Sequence, residues 1–342
     1  MIVASLPLSV ASLASPLASS ESTKPAIVFS HANGFPAGTY RLLFEFWRAA
    51  GYTVHALEKF GHDPRFPITS NWPHLRDQLI HFIDREVSGP ALLVGHSLGG
   101  YLSLMAAARR PDLACGVVLL DSPVLSGWKA RAVQLVKATG FGARLSPGAI
   151  SQRRRQQWPN AQAAYEHFAA KALFARWAPG VLRDYIDCGT EAHLSEHRLS
   201  FARSAETAIY NTLPHHLARL LRRHPLQCRL AFVRGSESVE VRHVGMAATL
   251  RLAQGRVSSL PGGHLFPFER PIETAAEVLR LIPTLIPTLL PTALPSAVPA
   301  ARIVVPTAPA TPHASPTEVI APTAPDMLAT PAARQSAPTP RL

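Results

Sequence analysis

The sequence predicts an α/β fold in which a mostly parallel, doubly wound sheet carries helices on both faces. Short apolar runs of strand length recur along the chain. Longer segments with helical periodicity separate these runs, and such an alternation of strand and helix implies parallel pairing. The 342 residues are 47% apolar, which is enough for a sizeable core. Because ligands bind at the carboxyl ends of the strands in sheets of this kind, we expect the functional residues there.

The first third of the chain contains the clearest strands and helices. We expect strands over residues 26–30, 52–57, 91–94 and 115–120. We expect helices over residues 38–50 and 71–87, and from residue 98 to about 110. Asn71 is the predicted N-cap of the second helix, because its side chain can accept a hydrogen bond from the first turn. Pro111 follows two arginines, which is a typical end for the third helix.

The remaining two thirds divide into three parts. Residues 122–227 lack strand signals and are predicted to form several helices. The alternation then resumes, with strands predicted at 229–234 and 256–260 and helices at 241–254 and 274–282. From Pro283 to Pro299 a proline falls at every fourth residue, and proline lacks the amide donor that a helix needs. Residues 283–342 are therefore predicted to be a disordered or polyproline-like tail, and no structure is predicted for the low-complexity residues 1–23.

The net charge of +12 bears on the class of partner. Residues 122–228 carry fifteen Lys or Arg against six Asp or Glu, so most of the surplus lies there. A basic surface favours a phosphate- or carboxylate-bearing substrate, a nucleic acid or an anionic membrane. A generally arginine-rich composition is the simpler explanation. No nucleic-acid-binding motif accompanies the charge, so no nucleic-acid partner is expected.

The cysteines and the N-terminus bear on the compartment. The three cysteines are scattered and lack metal-ligand spacing. This pattern predicts neither a disulfide framework nor a metal site, and it favours a reducing compartment. No apolar run reaches the roughly 20 residues that a membrane helix needs, so no membrane span is expected. Residues 1–23 are small and apolar like a signal peptide, but they have no basic residue before Lys24 and contain two prolines. We therefore favour a cytoplasmic protein over an exported one.

The pattern G-x-S-x-G occurs between the third predicted strand and its helix, as Gly95-His96-Ser97-Leu98-Gly99. By itself the pattern is weak, because Gly and Ser are common. Between a strand and a helix it has a mechanism: a tight turn raises the serine above the sheet, and small glycines let neighbouring backbone approach. The N-terminus of the following helix then points free N–H groups at charge that develops near the serine. Ser97 is the predicted nucleophile.

With this turn the sequence resembles the α/β-hydrolase family, from about residue 24 to residue 282. The resemblance implies a core of residues 24–121 and 229–282, with residues 122–228 inserted as a helical cap over the active site. Tryptophans of this insertion would either line an apolar cavity or, as we favour, pack the cap onto the core. Little chain precedes the first strand, so the family's first two antiparallel strands are missing or reduced here. No cofactor or metal is implied.

The resemblance also implies a histidine after the last strand, and His264 occupies that place, in Gly262-Gly263-His264. A serine hydroxyl needs such a base within hydrogen-bond reach. His96, inside the turn, is expected to pack or orient rather than to catalyse.

The acid of the expected triad is less clear. The usual carboxylate position, shortly after the glycine that ends the next-to-last strand, is Ser238. Glu237 and Glu240 flank it and are alternatives. Asp121 ends the strand that follows the Ser97 helix, where some relatives carry the acid, and we favour it. The acid would fix the tautomer of His264 and stabilise the imidazolium.

An oxyanion hole needs two N–H donors. The first expected donor is Leu98, the residue after the nucleophile. The second should come from the loop over residues 31–36, where we favour Phe35, with Asn33 as the alternative because two extra residues make the register ambiguous.

These residues predict a hydrolase that cleaves an ester, thioester or similar acyl substrate through an acyl-enzyme. A carbon–carbon bond hydrolase or an acyltransferase could use the same residues, and a hydrolase-like binding module is the alternative of another class. The expected partner is a small-molecule acyl substrate, anionic or apolar. The sequence does not specify which substrate it is or the oligomeric state.

Overall fold

The computed structural model describes residues 24–139 and 147–289. The predicted N-terminal extension and most of the predicted tail, residues 290–342, lie outside these ranges. Within them, no helix is both long enough and apolar enough to cross a bilayer.

A six-stranded sheet forms the centre of the molecule. The strands, numbered along the chain, are β1 (Ile27–Ser30), β2 (Val54–Ala56), β3 (Ala91–His96), β4 (Ala114–Leu120), β5 (Gln157–Trp158), β6 (Thr190–His193), β7 (Glu196–Leu199), β8 (Arg229–Gly235) and β9 (Val257–Leu260). The central sheet has the order β2-β1-β3-β4-β8-β9, and all five of its pairings are parallel. The predicted parallel α/β sheet is confirmed.

Helices connect the strands. They are α1 (Arg41–Ala49), α2 (Pro73–Glu86), α3 (Leu98–Arg109), α4 (Gly127–Thr139), α5 (Pro147–Ser151), α6 (Ala161–Ala169), α7 (Ala172–Ala175), α8 (Val181–Gly189), α9 (Arg203–Asn211), α10 (Leu217–Arg223), α11 (Val239–Val244), α12 (Ala247–Ala253), α13 (Phe266–Glu269) and α14 (Pro271–Leu285). Short 3-10 helices span Ala37–Tyr40 and Pro111–Leu113.

Strand β3 shows why the sheet forms where it does. Every residue of β3 is buried, because helices cover both faces of the sheet, and such a strand needs an unbroken apolar run. Its pairing with β1 brings Ser30 beside Gly95, and its pairing with β4 brings His96 beside Leu120. The carboxyl ends of three strands therefore meet at one edge of the sheet.

The structure differs from the sequence prediction at two helix boundaries. Asn71 is not an N-cap: it and Trp72 have left-handed backbone, with φ of 69° and 58°, and α2 starts at Pro73. Proline suits the first position of a helix. The side-chain oxygen of Asn71 accepts from the backbone amide of His215 instead of capping α2. The helix predicted over residues 241–254 is divided into α11 and α12 at Gly245, whose φ is 82°.

Residues 122–227 contain several helices, as expected, but also a small sheet that no sequence signal predicted. Strands β5, β7 and β6 form a small antiparallel sheet in this region. Its two longer strands, Thr190–His193 and Glu196–Leu199, are four residues each and rich in polar and charged side chains. Such short strands carry no hydrophobic alternation, which is the signal that sequence reasoning depends on.

Helix α14 is longer than predicted. It begins at Pro271, continues through Pro283 and ends at Leu285 rather than at Ile282. Proline is tolerated in the last turn here because Leu281, Ile282 and Leu285 are all buried in the core, and this packing outweighs one lost hydrogen bond.

Candidate active site

Ser97 lies in a strained turn between β3 and α3, with φ of 53° and ψ of −113°. Three glycines make the turn possible. A Cβ atom on Gly95 would lie 2.3 Å from the carbonyl of Gly99, and one on Gly99 would lie 2.0 Å from the backbone oxygen of Ser30. A Cβ atom on Gly100 would lie 2.1 Å from the hydroxyl of Ser122. A side chain at any of these three positions would collide with neighbouring atoms, so the turn requires glycine there.

Two hydrogen bonds join Ser97, His264 and Asp121. The Ser97 Oγ atom lies 2.9 Å from His264 Nε2, and His264 Nδ1 lies 2.7 Å from Asp121 Oδ2. His264 is in the loop between β9 and α13, and Asp121 directly follows β4 with a φ of 46°. The structure thus brings together three residues that are distant in sequence and were predicted as nucleophile, base and favoured acid.

The Asp121 carboxylate has two further partners. Its Oδ1 atom accepts from the amide of Gly235 at 2.9 Å, and its Oδ2 atom accepts from the hydroxyl of Ser238 at 2.5 Å. Ser238 occupies the sequence position where a carboxylate was expected. Its hydroxyl also accepts from the amide of Val241 and so caps α11. The serine therefore holds the carboxylate of the neighbouring strand in place.

The two alternative acids lie in different places. Glu240 Oε2 is 3.8 Å from His264 Nδ1 and 3.4 Å from the Ser238 hydroxyl, so it is near the imidazole without taking the place of Asp121. Glu237 accepts a hydrogen bond from Arg176 at 2.8 Å, and its side chain is 58% exposed. Glu237 is thus held by an ion pair at the surface.

The two candidates for the second oxyanion donor also differ. The amide of Phe35 donates to the carbonyl of Ala32 at 3.2 Å, and its ring packs against Trp177 and Phe268. Asn33 lines the cavity that contains Ser97, as does Leu98. Leu98 is the first residue of α3, and a helix cannot pair the amides of its own first turn.

A cavity opens over Ser97, between the central sheet and residues that belong to segment 122–228. Its polar lining includes Asn33, Glu240 and His243 beside the triad residues. The remaining walls are mostly apolar and consist of Trp72, Leu98, Tyr101, Pro123, Leu125, Val133, Ile209, Tyr210, Leu213, Pro214 and Val244. No Lys or Arg is among the described residues that line it. The chain's positive surplus is therefore not in this part of the cavity wall.

The tryptophans of the insertion do not line this cavity. Trp158 and Trp177 are buried in the core cluster, where Trp177 packs on Phe268 with ring centroids 4.6 Å apart. Trp128, on α4, is 69% exposed. Trp177 thus packs against Phe35 and Phe268, outside residues 122–228, whereas Trp158 packs against His167 and Phe168 within them.

Comparison with known proteins agrees with this geometry. A sequence profile of the alpha/beta hydrolase family matches residues 27–278. The chain belongs to the alpha/beta hydrolase family. Human monoglyceride lipase is 31% identical over 112 residues, which are 30% of this chain and 37% of that one. Lipase LipV of Mycobacterium tuberculosis is 43% identical over 56 residues, 16% of this chain and 22% of LipV.

The chain thus spans little more than a third of the length of monoglyceride lipase. Among solved structures, E-2-(acetamidomethylene)succinate hydrolase is 24% identical with a TM-score of 0.58. That comparison covers 76% of this chain and 91% of the other, and it shows a shared fold.

Electrostatics in this family member favour a charged His264. Burial of the imidazole lowers the pKa of His264, but the charge of Glu240 and the hydrogen bond and charge of Asp121 outweigh it and raise the pKa to about 9. The attraction from two carboxylates therefore stabilises the imidazolium that forms when the ring accepts a proton.

A buried chain of hydrogen bonds behind the site was not predicted from the sequence. His96 Nε2 faces the backbone carbonyl of His264 at 2.9 Å, so this nitrogen carries the proton. His96 Nδ1 must then accept from the Tyr40 hydroxyl at 2.8 Å, and that hydroxyl accepts from the amide of Ala32 at 3.1 Å. Burial lowers the pKa of His96 well below its usual range, which keeps the ring neutral.

This chain connects the loop after β1 to the backbone of His264. Both ring nitrogens of His96 therefore have hydrogen-bond partners within the protein. Tyr40 gave no signal in the sequence, because an aromatic residue on a helix face is normally read as core.

Asp121, Glu240 and His264 also offer three possible metal-ligand atoms within 4.8 Å of one another. The Asp121 and His264 atoms already hydrogen-bond to each other, and the Ser238 hydroxyl contacts both carboxylates. The arrangement is accounted for by hydrogen bonding within the described residues.

Proposed function

We propose that this protein hydrolyses carboxylic esters through an acyl-enzyme formed on Ser97. The observation that carries the proposal is the pair of hydrogen bonds from Ser97 to His264 and from His264 to Asp121, at 2.9 and 2.7 Å. These are the contacts that an activated serine requires: a base on the nucleophile and a carboxylate that orients the base.

In the proposed reaction His264 Nε2 takes the proton of Ser97 as the serine oxygen attacks the ester carbonyl. Asp121 holds the Nδ1 proton, so that Nε2 is the nitrogen free to accept. The imidazolium then protonates the leaving alcohol, and the acyl group remains on the serine. Water attacks the acyl-enzyme in a second step, with His264 again as base, and releases the carboxylic acid.

The tetrahedral intermediate carries a negative oxygen that needs donors. We propose the amides of Leu98 and Asn33 for this role. Both residues line the cavity next to the serine, whereas the amide of Phe35 already donates within its own turn. The helix dipole of α3 adds to the stabilisation, because Ser97 lies at its N-terminus. Loss of one such donor typically costs 10² to 10³ in rate.

Two observations support an ester of a small apolar molecule as the substrate. The cavity walls are mostly apolar, so an acyl or alcohol chain would be desolvated there. Relatives of part of the chain are named monoglyceride lipase and lipase. We further propose that residues 122–228 act as a cap, since Leu125, Val133 and Ile209 of that segment form one side of the cavity.

Labelling with a fluorophosphonate probe tests this function. Wild type should label and Ser97→Ala should not, because the probe reacts only with an activated serine. Ser103→Ala is the matched control: this serine lies on α3, is buried, and has no hydrogen-bond partner for its hydroxyl in the described part of the chain. It should label like wild type. Absence of labelling in folded wild type, or labelling that persists in Ser97→Ala, would overturn the proposal.

A further inference from the structure

Apart from the histidines, the charged side chains that line the cavity are acidic, although the chain as a whole is basic. The whole chain carries a net charge of +12. Yet the ionisable residues among the described cavity lining are Asp121, Glu240, Tyr101, Tyr210 and two histidines, without a Lys or Arg. Asp121 is fully buried, and its oxygens accept hydrogen bonds from His264, Ser238 and the amide of Gly235. Glu240 is the carboxylate that remains to face a substrate.

The position of Glu240 is fixed by its surroundings. It lies in the first turn of α11, where a negative charge is favoured by the helix dipole. Its side chain is 12% exposed, its Oε2 atom lies 3.4 Å from the Ser238 hydroxyl, and the same atom lies 3.8 Å from His264 Nδ1. One carboxylate thus borders both the imidazole and the space that a substrate would enter.

We infer that Glu240 determines specificity, because its charge borders the space that a substrate would enter and keeps anionic substrates out of the cavity. The inference rests on the proposed function, and it selects the apolar substrate over the anionic one that the basic composition suggested. Charges about 4 to 6 Å apart near a protein surface interact strongly enough to change rates by tenfold or more.

The same charge has a consequence for pH. The groups that face His264 are Asp121 from β4, Glu240 from α11 and the neutral His96 from β3, and Tyr101 from α3 faces the two carboxylates. The base is the neutral imidazole, so activity is lost as pH falls below the pKa of His264, about 9. Removal of the Glu240 charge lowers that pKa, so the rising limb of the activity profile should move to lower pH.

The test compares Glu240→Gln with Glu237→Gln on two p-nitrophenyl esters. The butyrate is neutral, and the hemisuccinate has an acyl chain of the same length that ends in a carboxylate. For wild type and Glu237→Gln we expect kcat/KM to favour the butyrate by the same factor. Glu240→Gln should reduce this preference about tenfold, through a higher kcat/KM on the hemisuccinate relative to the butyrate. An unchanged preference would overturn the inference, and so would a loss of activity as large as that of a triad variant.

A measurement without substrate separates this inference from the proposed function. The imidazole of His264 can be titrated by NMR in wild type and in both variants. Its pKa should fall in Glu240→Gln and stay the same in Glu237→Gln, whose carboxylate is held by Arg176 at the surface. An unchanged His264 titration in Glu240→Gln overturns the inference whether or not the protein hydrolyses esters. If wild type is inactive but the pKa of His264 falls in Glu240→Gln as expected, the result counts against the proposed function alone.

Discussion

Replacing Asp121 with asparagine is the most direct test of whether this carboxylate fixes the tautomer of His264. The carboxylate accepts from His264, Ser238 and Gly235; the last two bonds are buried and the first is partly buried. Asparagine has the same shape, and its oxygen can keep the bond to the Gly235 amide. Its NH2 group would then face His264 Nδ1 and force the proton onto Nε2. That tautomer cannot accept the proton of Ser97.

The expected loss follows from two contributions. A wrong tautomer at a triad with an otherwise intact geometry costs about 10⁴ in kcat. Here Glu240 stays 3.8 Å from the imidazole and still attracts the imidazolium, so the loss should be nearer 10³. That factor corresponds to about 4 kcal/mol of transition-state stabilisation. Stability should change little, because the NH2 group has two acceptors, His264 Nδ1 and the Ser238 hydroxyl.

Steady-state hydrolysis of p-nitrophenyl butyrate at pH 8 measures the loss, and a melting curve checks the fold. Asp112→Asn is the control, since Asp112 is 60% exposed and pairs with Arg110 at the surface. It should retain wild-type kcat/KM. If Asp121→Asn keeps more than a tenth of wild-type kcat/KM, His264 does not depend on this carboxylate, and the reasoning from the 2.7 Å contact is refuted.

Three further substitutions test the scaffold. Gly99→Ala would place a methyl group 2.0 Å from the backbone oxygen of Ser30, so we expect a loss of more than about 3 kcal/mol in urea unfolding. Gly89→Ala has open space but a φ of 82°, and it should lose only about 1 kcal/mol; equal losses would contradict the steric argument. Tyr40→Phe removes the hydroxyl bonded to His96, so we expect a loss of about 1–3 kcal/mol in stability and a lower kcat with nearly constant KM. An unchanged kcat in the folded variant would show that this hydrogen bond serves stability alone.

The central sheet could be predicted from the sequence because its strands are buried on both faces. β3 and β4 consist almost entirely of buried residues, and a continuous apolar run is readable without any knowledge of neighbours. The G-x-S-x-G turn was equally readable, since the backbone contacts of Gly95 and Gly99 permit no other residue. These features are local, and local features are what a single sequence records.

Features that depend on distant partners were missed. The strands β6 and β7 pair with each other through polar residues, so nothing in their own composition marks them as strands. Our proposal of Asn33 as the second oxyanion donor, in place of the favoured Phe35, rests on the bond from the Phe35 amide to Ala32, which a single sequence does not show. The start of α2 was also missed because of a distant partner. The Asn71 side chain bonds to His215, 144 positions away, rather than to its own helix.

The position of the acid is the clearest case in which topology explains what the sequence left open. Strands β4 and β8 are hydrogen-bonded neighbours, and the amide of Asp121 donates to the carbonyl of Val233 at 2.8 Å. Since adjacent strands lie about 4.8 Å apart, a carboxylate that follows either one can reach the same imidazole nitrogen. In this chain Asp121 supplies it from β4, and Ser238 fills the position after β8 with a hydroxyl that donates to it. The serine at the expected acid position is therefore compatible with the proposed triad, because its hydroxyl donates to the carboxylate that follows the neighbouring strand.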